Sequence, residues 1–581
     1  MSEAGEIRFI SRTGHRGYRN PRDVVEARTV GDVLPALEQI ERAVAKGMHA
    51  AGFVAYEAAP AFDAALACHD PSDLPLLWFA LYDGIDERRQ PPPGDNYAVG
   101  TREPRVSEAE YAACIARIRD WIASGDTYQV NYTFPMDATF SGSPLDCFYQ
   151  LAQSQRSDHC AYMDTGRFQL LSASPELFFS LADGVLRTRP MKGTHARGRW
   201  TAEDAAFAEA LRASEKERAE NVMIVDLLRN DMGRISETGS VHVERLFETE
   251  RYPTVWQMTS TIASRTGANV PEILNALFPS GSVTGAPKIR TMEIIKEIEP
   301  HPRGIYCGTM GWWEPGGRAE FNVAIRTMTV DSEKGTATYS VGSGVTWDSS
   351  ASAEYAECVS KAAVLHNLGE HFDLLESILL REDYYLLSEH LERLRDSATF
   401  FDFHYDQAAI ESLLTAKREV WRAEYGDAPL KVRLLLSRDQ SVRVEAAPAP
   451  ESTRVRVGFA AHPIDENNVY LFHKTTRRGA YEAARASRPD CDDVILWNAR
   501  GEATESTTAN LVVEVEGKRL TPPIPCALLA GTFRARLLAE GAIEEAVLTK
   551  SDVRAAAAIH LINSVRGWIP VEWVDEQGSN R

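Results

Sequence analysis

The chain has 581 residues, of which 44% are hydrophobic and 25% charged, proportions of folded globular protein that exclude wholesale disorder. Lys and Arg number 63 against 83 Asp and Glu, and the resulting −20 repels phosphate backbones, so no nucleic-acid partner is expected. No apolar run approaches the ~20 residues of a membrane helix, and MSEAGEIRFISRTGHRGYRN lacks the apolar stretch of an export signal.

Pro91-Pro92-Pro93-Gly94 reads as a surface loop. Tyr111, Ile115, Ile118 and Ile122 recur at helical spacing and predict a helix over 107–124. Helical patterning returns over 204–232 and 352–368. Between these lie strand-like stretches at 168–174 (FQLLSAS), 305–313 (IYCGTMGWW) and 337–345 (ATYSVGSGV). A boundary is expected in HNLGEHFD (366–373). After it, 374–401 reads as strand, turn, strand and helix. Further strands are expected at 431–437, 442–446, 469–472 (VYLF), 493–498 and 510–515. Short turns between many strands favour an α+β class with mixed antiparallel sheets. Two domains are expected, over 1–368 and 372–581. Eight cysteines, at 68, 114, 147, 160, 307, 358, 491 and 526, form no C-x-x-C pair. They read as small core residues of a cytoplasmic protein.

Two acidic pairs carry the first chemical signal. Glu217 and Glu220, and Glu354 and Glu357, are each three apart, so each pair shares a helix face. Were the pairs to converge, two charges ~4 Å apart would repel by roughly 4 kcal/mol at an effective dielectric of 20. A hard divalent cation would relieve that, and Mg²⁺ takes one or two carboxylates while leaving room for substrate oxygens.

Six segments extend the signal: SPELFF (174–179), RPMKGT (189–194), KERAE…DLLRND (216–231), FPSGSVTGAPK (278–288), FNVAIRT (321–327) and VGSG…AEYAE (341–357). In this order they resemble the chorismate-utilising family of anthranilate, aminodeoxychorismate, isochorismate and salicylate synthases, over roughly residues 50–365. The resemblance implies a two-sheet sandwich flanked by helices. It implies Mg²⁺ on Glu220 and Glu357, with Glu217 and Glu354 beside them. Tyr306, Arg326 and Lys361 match positions that hold the carboxylates of chorismate, and Gly342 and Gly344 allow close approach to it. Lys361 is also four after Glu357, the spacing of a plain helix ion pair.

The branch turns on Pro190-Met191-Lys192-Gly193-Thr194. A lysine at this third position resembles the aminodeoxychorismate synthases, where it is the nucleophile; anthranilate synthases carry Ala. A lysine attacks only as the neutral amine. The resemblance implies attack at ring carbon 2, loss of the 4-hydroxyl, then addition of ammonia at carbon 4. Glu176 matches the general acid, and Thr194 a substrate contact. Gln129 stands where water-adding relatives carry a lysine base, so it too points to ammonia. Gln257 stands where many relatives place His, and no role is expected for it. No cysteine has glycine on both sides, so ammonia is expected from a separate glutamine amidotransferase subunit.

The C-terminal segments LLES…LLSEHLERLRDSA, HKTT, GEATESTTANLVV and TPP…ALLAGTFRARLL resemble the class IV pyridoxal-phosphate family. The resemblance gives the cofactor's covalent attachment to Lys474, its pyridine nitrogen to Glu505 and its phosphate to Arg393 and Thr532. Gly531-Thr532 before a helix also suits phosphate on its own terms. Asp439-Gln440 stands where a glycine turn is typical. Fusion points to aminodeoxychorismate lyase, and the pair of activities to p-aminobenzoate for folate. The alternatives are a synthase whose second domain is an aminotransferase or a dimerisation scaffold, an anthranilate synthase component I, and a catalytically dead regulatory module. A homodimer through the C-terminal domain is also expected.

Overall fold

The computed structural model describes residues 4–12, 14–86, 94–363 and 372–575. The expected Pro91–Pro93 loop, residues 366–371 of the expected boundary and the end of the 352–368 helical pattern lie outside the described residues. The chain divides into two compact units, Met1–Arg197 with Phe207–Glu370 and Gly198–Ala206 with His371–Arg581.

The first unit contains two ten-stranded sheets. Eight strands of one run 285–286, 129–142, 336–345, 327–331, 168–174, 159–164, 7–11, 14–18, and 97–99 and 103–104 pair with 129–142 beside them. Nine strands of the other run 191–196, 255–265, 185–189, 177–182, 319–323, 309–313, 49–54, 77–82, 23–27, and 242–251 pairs with 255–265 beside them. Ile7, Met163 and Leu170 of the first meet Ala51, Phe53 and Ala80 of the second, so the sheets pack face to face. The outer face of each sheet is covered by helices. Tyr111, Phe148, Ile295 and Cys358 cover the first, and Val33, Ile224, Leu228 and Ile273 the second. The expected helix at 107–124 is Glu108–Ala123, opened by a reciprocal capping box between Ser107 and Glu110. The single pattern over 204–232 splits into Thr201–Ala213 and Glu215–Gly233. Ser214 interrupts it by accepting from the Glu217 N–H as an N-cap. Of 305–313, only Thr309–Trp313 is strand; residues 305–308 turn, with Cys307 at φ +64°.

The second unit pairs Leu374–Leu380, Leu430–Leu436 and Val442–Pro448 in a small antiparallel sheet. Helices Leu387–Phe401 and Gln407–Tyr425 pack on it through Leu391, Leu394, Ile410 and Leu414. A separate eight-stranded sheet has Val455–Phe459 parallel to both its neighbours. Two sequence expectations change. The second strand expected before the helix at 387 is reduced to one bridge, Leu380 to Tyr384. The apolar run VYLF is a single 3₁₀ turn, Val469–Leu471, because Asn468 caps it by accepting from the Tyr470 N–H. The Asp439-Gln440 turn closes without glycine: Gln440 itself adopts φ +72°, and Asp439 accepts from Ser441 N at 3.0 Å. All eight cysteines are free thiols, seven of them buried. Among the described residues no helix is long and apolar enough to cross a membrane.

Candidate active sites

Lys192 lies on strand Met191–Ala196, whose pairing with Val255–Arg265 slips between Met191 and Thr194. Gly193 sits in the slip at φ +98°. Such a bulge takes a side chain off regular alternation, and glycine adopts this backbone without strain. Asn221 Nδ2, from helix Glu215–Gly233, donates to the Lys192 carbonyl at 3.2 Å, and Ser260 Oγ donates to Asn221 Oδ1 at 2.6 Å. Burial lowers the amine's pKa, against the pull of Glu220, Glu176 and Glu357, while Lys361 pushes the same way as burial.

Glu176 enters just ahead of strand Leu177–Ala182 and is buried. Burial raises its carboxyl to about 7, opposed by a 2.5 Å hydrogen bond from Ser282 Oγ and by Lys192. The residues expected to act together do meet: Glu176, Lys192, Thr194, Glu217, Glu220, Tyr306, Arg326, Gly342, Gly344, Glu354, Glu357 and Lys361 all line one cavity of about 230 Å³. Gln129, also expected at the site, does not line this cavity; it packs against Gly344, which does. A Cβ on Gly344 would stand 2.4 Å from Gln129 Nε2 and 2.8 Å from Lys192 Nζ. A side chain there would collide with both, so glycine leaves room for the amide and the amine. Gln129 is fully buried, and among the described residues neither end of its amide has a hydrogen-bond partner. Such a group costs free energy unless a ligand satisfies it.

Burial raises the pKa of Glu217 and Glu220; Glu357 adds to it at Glu217, and Glu217 and Glu354 at Glu220. The two acidic pairs therefore do converge. Glu357 is met by Lys361 Nζ at 2.7 Å, so the plain helix ion pair exists, and the same amine donates to the Gly342 carbonyl at 2.9 Å. Ser349 Oγ donates to Glu354 Oε1 at 2.8 Å. Among the described residues no three carboxylate, imidazole or thiol groups close on one ion. The donors are hard oxygens, with charge repulsion to relieve, and they fit an ion such as Mg²⁺ that fills its shell with water or substrate oxygen. Arg326 takes φ +49° and donates to Gln155 Oε1 at 2.7 Å.

Three residues here have no part in the sequence-based site. Ser282 and Asn221 lie inside segments already singled out, but their partners are distant in the chain. Gln257 is opposite Thr194 in the register. It accepts from Thr194 Oγ1 at 3.2 Å and donates to the Gly193 carbonyl at 3.0 Å, so it braces the bulge that carries Lys192.

In the second unit, Arg393, Lys474, Glu505 and Thr532 line a cavity of about 370 Å³. The Lys474 carbonyl accepts from Leu375 N at 2.9 Å, which ties the lysine to the small sheet. Burial, then Arg393, lowers its amine to about 8. Burial raises Glu505 to about 8, although Leu529 N, Tyr481 OH and Asn510 Nδ2 all donate to it. Arg393 forks onto Glu376 at 2.9 and 2.7 Å and donates to the Ala530 carbonyl at 3.0 Å. Burial would raise Glu376, yet Arg393 and His390 hold it down to about 2. Gly531 is the N-cap of helix Thr532–Ala539, so Thr532 is not the cap; its hydroxyl is 3.3 Å from His390 Nε2. A poised lysine, a proton-holding carboxylate and a helix N-terminus with arginine beside it form a donor set that fits pyridoxal phosphate.

A model of the chorismate binding enzymes matches residues 8–367, and one of the class IV amino-transferases matches residues 372–574. Aminodeoxychorismate synthase component 1 of Bacillus subtilis is 38% identical over 293 residues, 50% of this chain and 61% of that protein. The protein of that name from Klebsiella aerogenes is 41% identical over 266 residues, 45% of this chain and 58% of its own. The chain thus spans about three fifths of the length of these curated relatives. The crystal structure of anthranilate synthase component I from Streptococcus pneumoniae superimposes with a TM-score of 0.53 and 27% identity, covering 63% of this chain and 93% of that one.

Proposed function

Because the chain belongs to the chorismate-binding enzymes over residues 8–367 and carries a class IV amino-transferase domain over 372–574, we propose that it makes p-aminobenzoate from chorismate in two steps. The observation that carries this reading is the placing of Lys192 and Glu176 on one cavity, the amine's pKa lowered and the carboxyl's raised, with the Gln129 amide packed against Gly344.

In the first step the neutral Lys192 amine bonds to ring carbon 2 while the carbon 4–oxygen bond breaks. Glu176, raised by burial, supplies the proton with which the hydroxyl leaves as water. Ammonia then bonds to carbon 4, the lysine leaves carbon 2, and Glu176 recovers a proton from the new ammonium. Thr194 and Gln257 hold the bulge in register through this exchange. Arg326 offers a fork for a carboxylate, with Tyr306 beside it. Gln129, packed against Gly344, is an amide where a base would be needed to deprotonate water, which suits addition of ammonia. Glu220 and Glu357, with Glu217 and Glu354, would hold Mg²⁺, which would neutralise a substrate carboxylate against this acidic wall.

In the second step pyridoxal phosphate would supply an electron sink. Lys474 would carry it and move the proton at ring carbon 4. Glu505 would hold a proton against its ring nitrogen, and Arg393 and Thr532 would take its phosphate. Pyruvate leaves and the ring becomes aromatic. Lys192 separates this reading from anthranilate synthesis. A separate glutaminase would deliver the ammonia, a second copy would pair through the class IV domain, and the reduced thiols suit the cytoplasm. The product would feed folate.

The test is product analysis with purified protein, chorismate, ammonium, Mg²⁺ and pyridoxal phosphate. p-Aminobenzoate is expected, and 4-amino-4-deoxychorismate is expected to accumulate in Lys474→Ala. Anthranilate as the product would overturn the reading.

A further inference from the structure

The second cavity carries more positive charge than cofactor binding uses. Lys431, Arg433, Arg478 and Arg566 all line it. Lys431 and Arg433 are two apart on strand Leu430–Leu436, so they face the same side, while Val432 and Leu434 face the core. Lys431 is half-buried, and burial lowers its amine, as do Arg433, Arg566 and Arg478. Arg566 donates to Thr508 Oγ1 at 3.3 Å. The acid near it, Asp493, already accepts from Thr507 Oγ1 at 2.5 Å and Thr508 Oγ1 at 3.0 Å. Arg478 lies over the Tyr481 ring, 4.7 Å from its centroid, and donates to the Thr507 carbonyl. Among the described residues Arg433 pairs with Glu445, at 3.8 Å with both side chains exposed, and such a pair contributes little.

Arg393 is different: Glu376 balances it, and it is not among the charges that bear on Lys431. The cavity therefore has a phosphate end with its own counter-charge and a second wall of four cations that faces, among the described residues, only Asp493 near Arg566 and the exposed Glu445 near Arg433. In a chain of net charge −20, such a wall is held against its own repulsion. An anionic ligand would relieve that repulsion, and it would need more than one negative charge to match it.

We propose that Lys431, Arg478 and Arg566, with Arg433 at the rim, form a subsite selective for substrates bearing two carboxylates. That the dianion is 4-amino-4-deoxychorismate, with one carboxylate on the ring and one on the enolpyruvyl ether, rests on the reading above. An amino acid with one carboxylate would leave most of the wall unmatched. The subsite is thus a specificity element for a lyase rather than for a general aminotransferase.

The experiment uses the full-length, pyridoxal-phosphate-loaded protein without Mg²⁺. It titrates 3-(carboxymethoxy)benzoate, a dianion, against 3-methoxybenzoate, its monoanionic counterpart. Binding is read as a shift of the cofactor's visible band, which reports the second unit alone. The dianion is expected to bind at least about tenfold more tightly. Lys431→Met and Arg566→Gln are each expected to lose most of that preference, and Arg566→Lys to keep part of it, with the band intensity showing that cofactor is retained. Equal affinities in the unmodified protein would overturn the proposal, as would an undiminished preference in the variants. Transamination of amino acids with the dianion preference intact would overturn the lyase reading and leave the subsite standing. p-Aminobenzoate formation without the preference would do the reverse.

Discussion

Lys192 and Glu176 face one cavity with perturbations of opposite sign: burial pushes the amine below its ordinary value and the carboxyl up to about 7. Both shifts favour the forms that nucleophilic attack with acid-assisted departure requires, a neutral amine and a protonated acid. Their ordinary states would be an ammonium and a carboxylate, which could do neither.

The first prediction concerns pH. Glu176 must hold its proton, so kcat/KM for amination should fall as pH rises through about 7. Lys192 must be neutral, so the rate should also fall toward acid. The two groups interact, so the limbs of this bell belong to the pair. A rate that keeps rising up to the ordinary lysine range would contradict the assignment of the acid.

Ser282 gives a second. Its 2.5 Å hydrogen bond favours the charged form of Glu176. Ser282→Ala should move the alkaline limb to higher pH, with a loss of roughly tenfold or less at the optimum. A limb that stays in place would separate Glu176 from the observed titration.

The acidic quartet gives a third. Glu357→Ala should abolish the magnesium dependence of the first step together with most of its rate, measured by titrating Mg²⁺ at saturating ammonium. A normal magnesium response in the variant would remove Glu357 from the metal site. The second step, assayed with supplied 4-amino-4-deoxychorismate, should be unchanged.

Glu505 gives a fourth. Its carboxyl is raised to about 8 in the folded protein, from about 4.3 in an unfolded chain. Between these values the folded state holds the extra proton, so stability of the cofactor-free second unit should fall as pH rises from about 5 to 8. Glu505→Gln should flatten that slope in thermal unfolding, provided the transition of this unit is resolved. An equal slope in the variant would contradict the raised value.

Residues whose placement on the first cavity follows from neighbours in sequence were readable in advance. The Glu217–Glu220 and Glu354–Glu357 spacings needed only helix geometry, and Pro190–Thr194 and Gly342–Gly344 sit in contiguous motifs. The residues that were not readable act across long separations. Ser282 reaches Glu176 over 106 positions, and Gln257 reaches Thr194 over 63. Gln257 looked like a lost histidine, and only the strand register shows it bracing the bulge. VYLF satisfied a strand pattern, but a four-residue apolar run has no period of its own, and the Asn468 cap decided for a turn. The cations around the second cavity are scattered over three segments, and nothing in their local sequence marks them as one wall.

The central claim is that Lys192 bonds to the substrate, and the most direct measurement is the mass of the protein itself. Chorismate and Mg²⁺ without any ammonia should leave the ring attached to the lysine after the hydroxyl has gone. Rapid quenching and peptide mass analysis should then find the peptide bearing Lys192 heavier by one chorismate less one water, and Lys192→Ala should show no adduct. An unmodified Lys192 peptide, in protein that aminates chorismate normally once ammonium is added, would contradict the account.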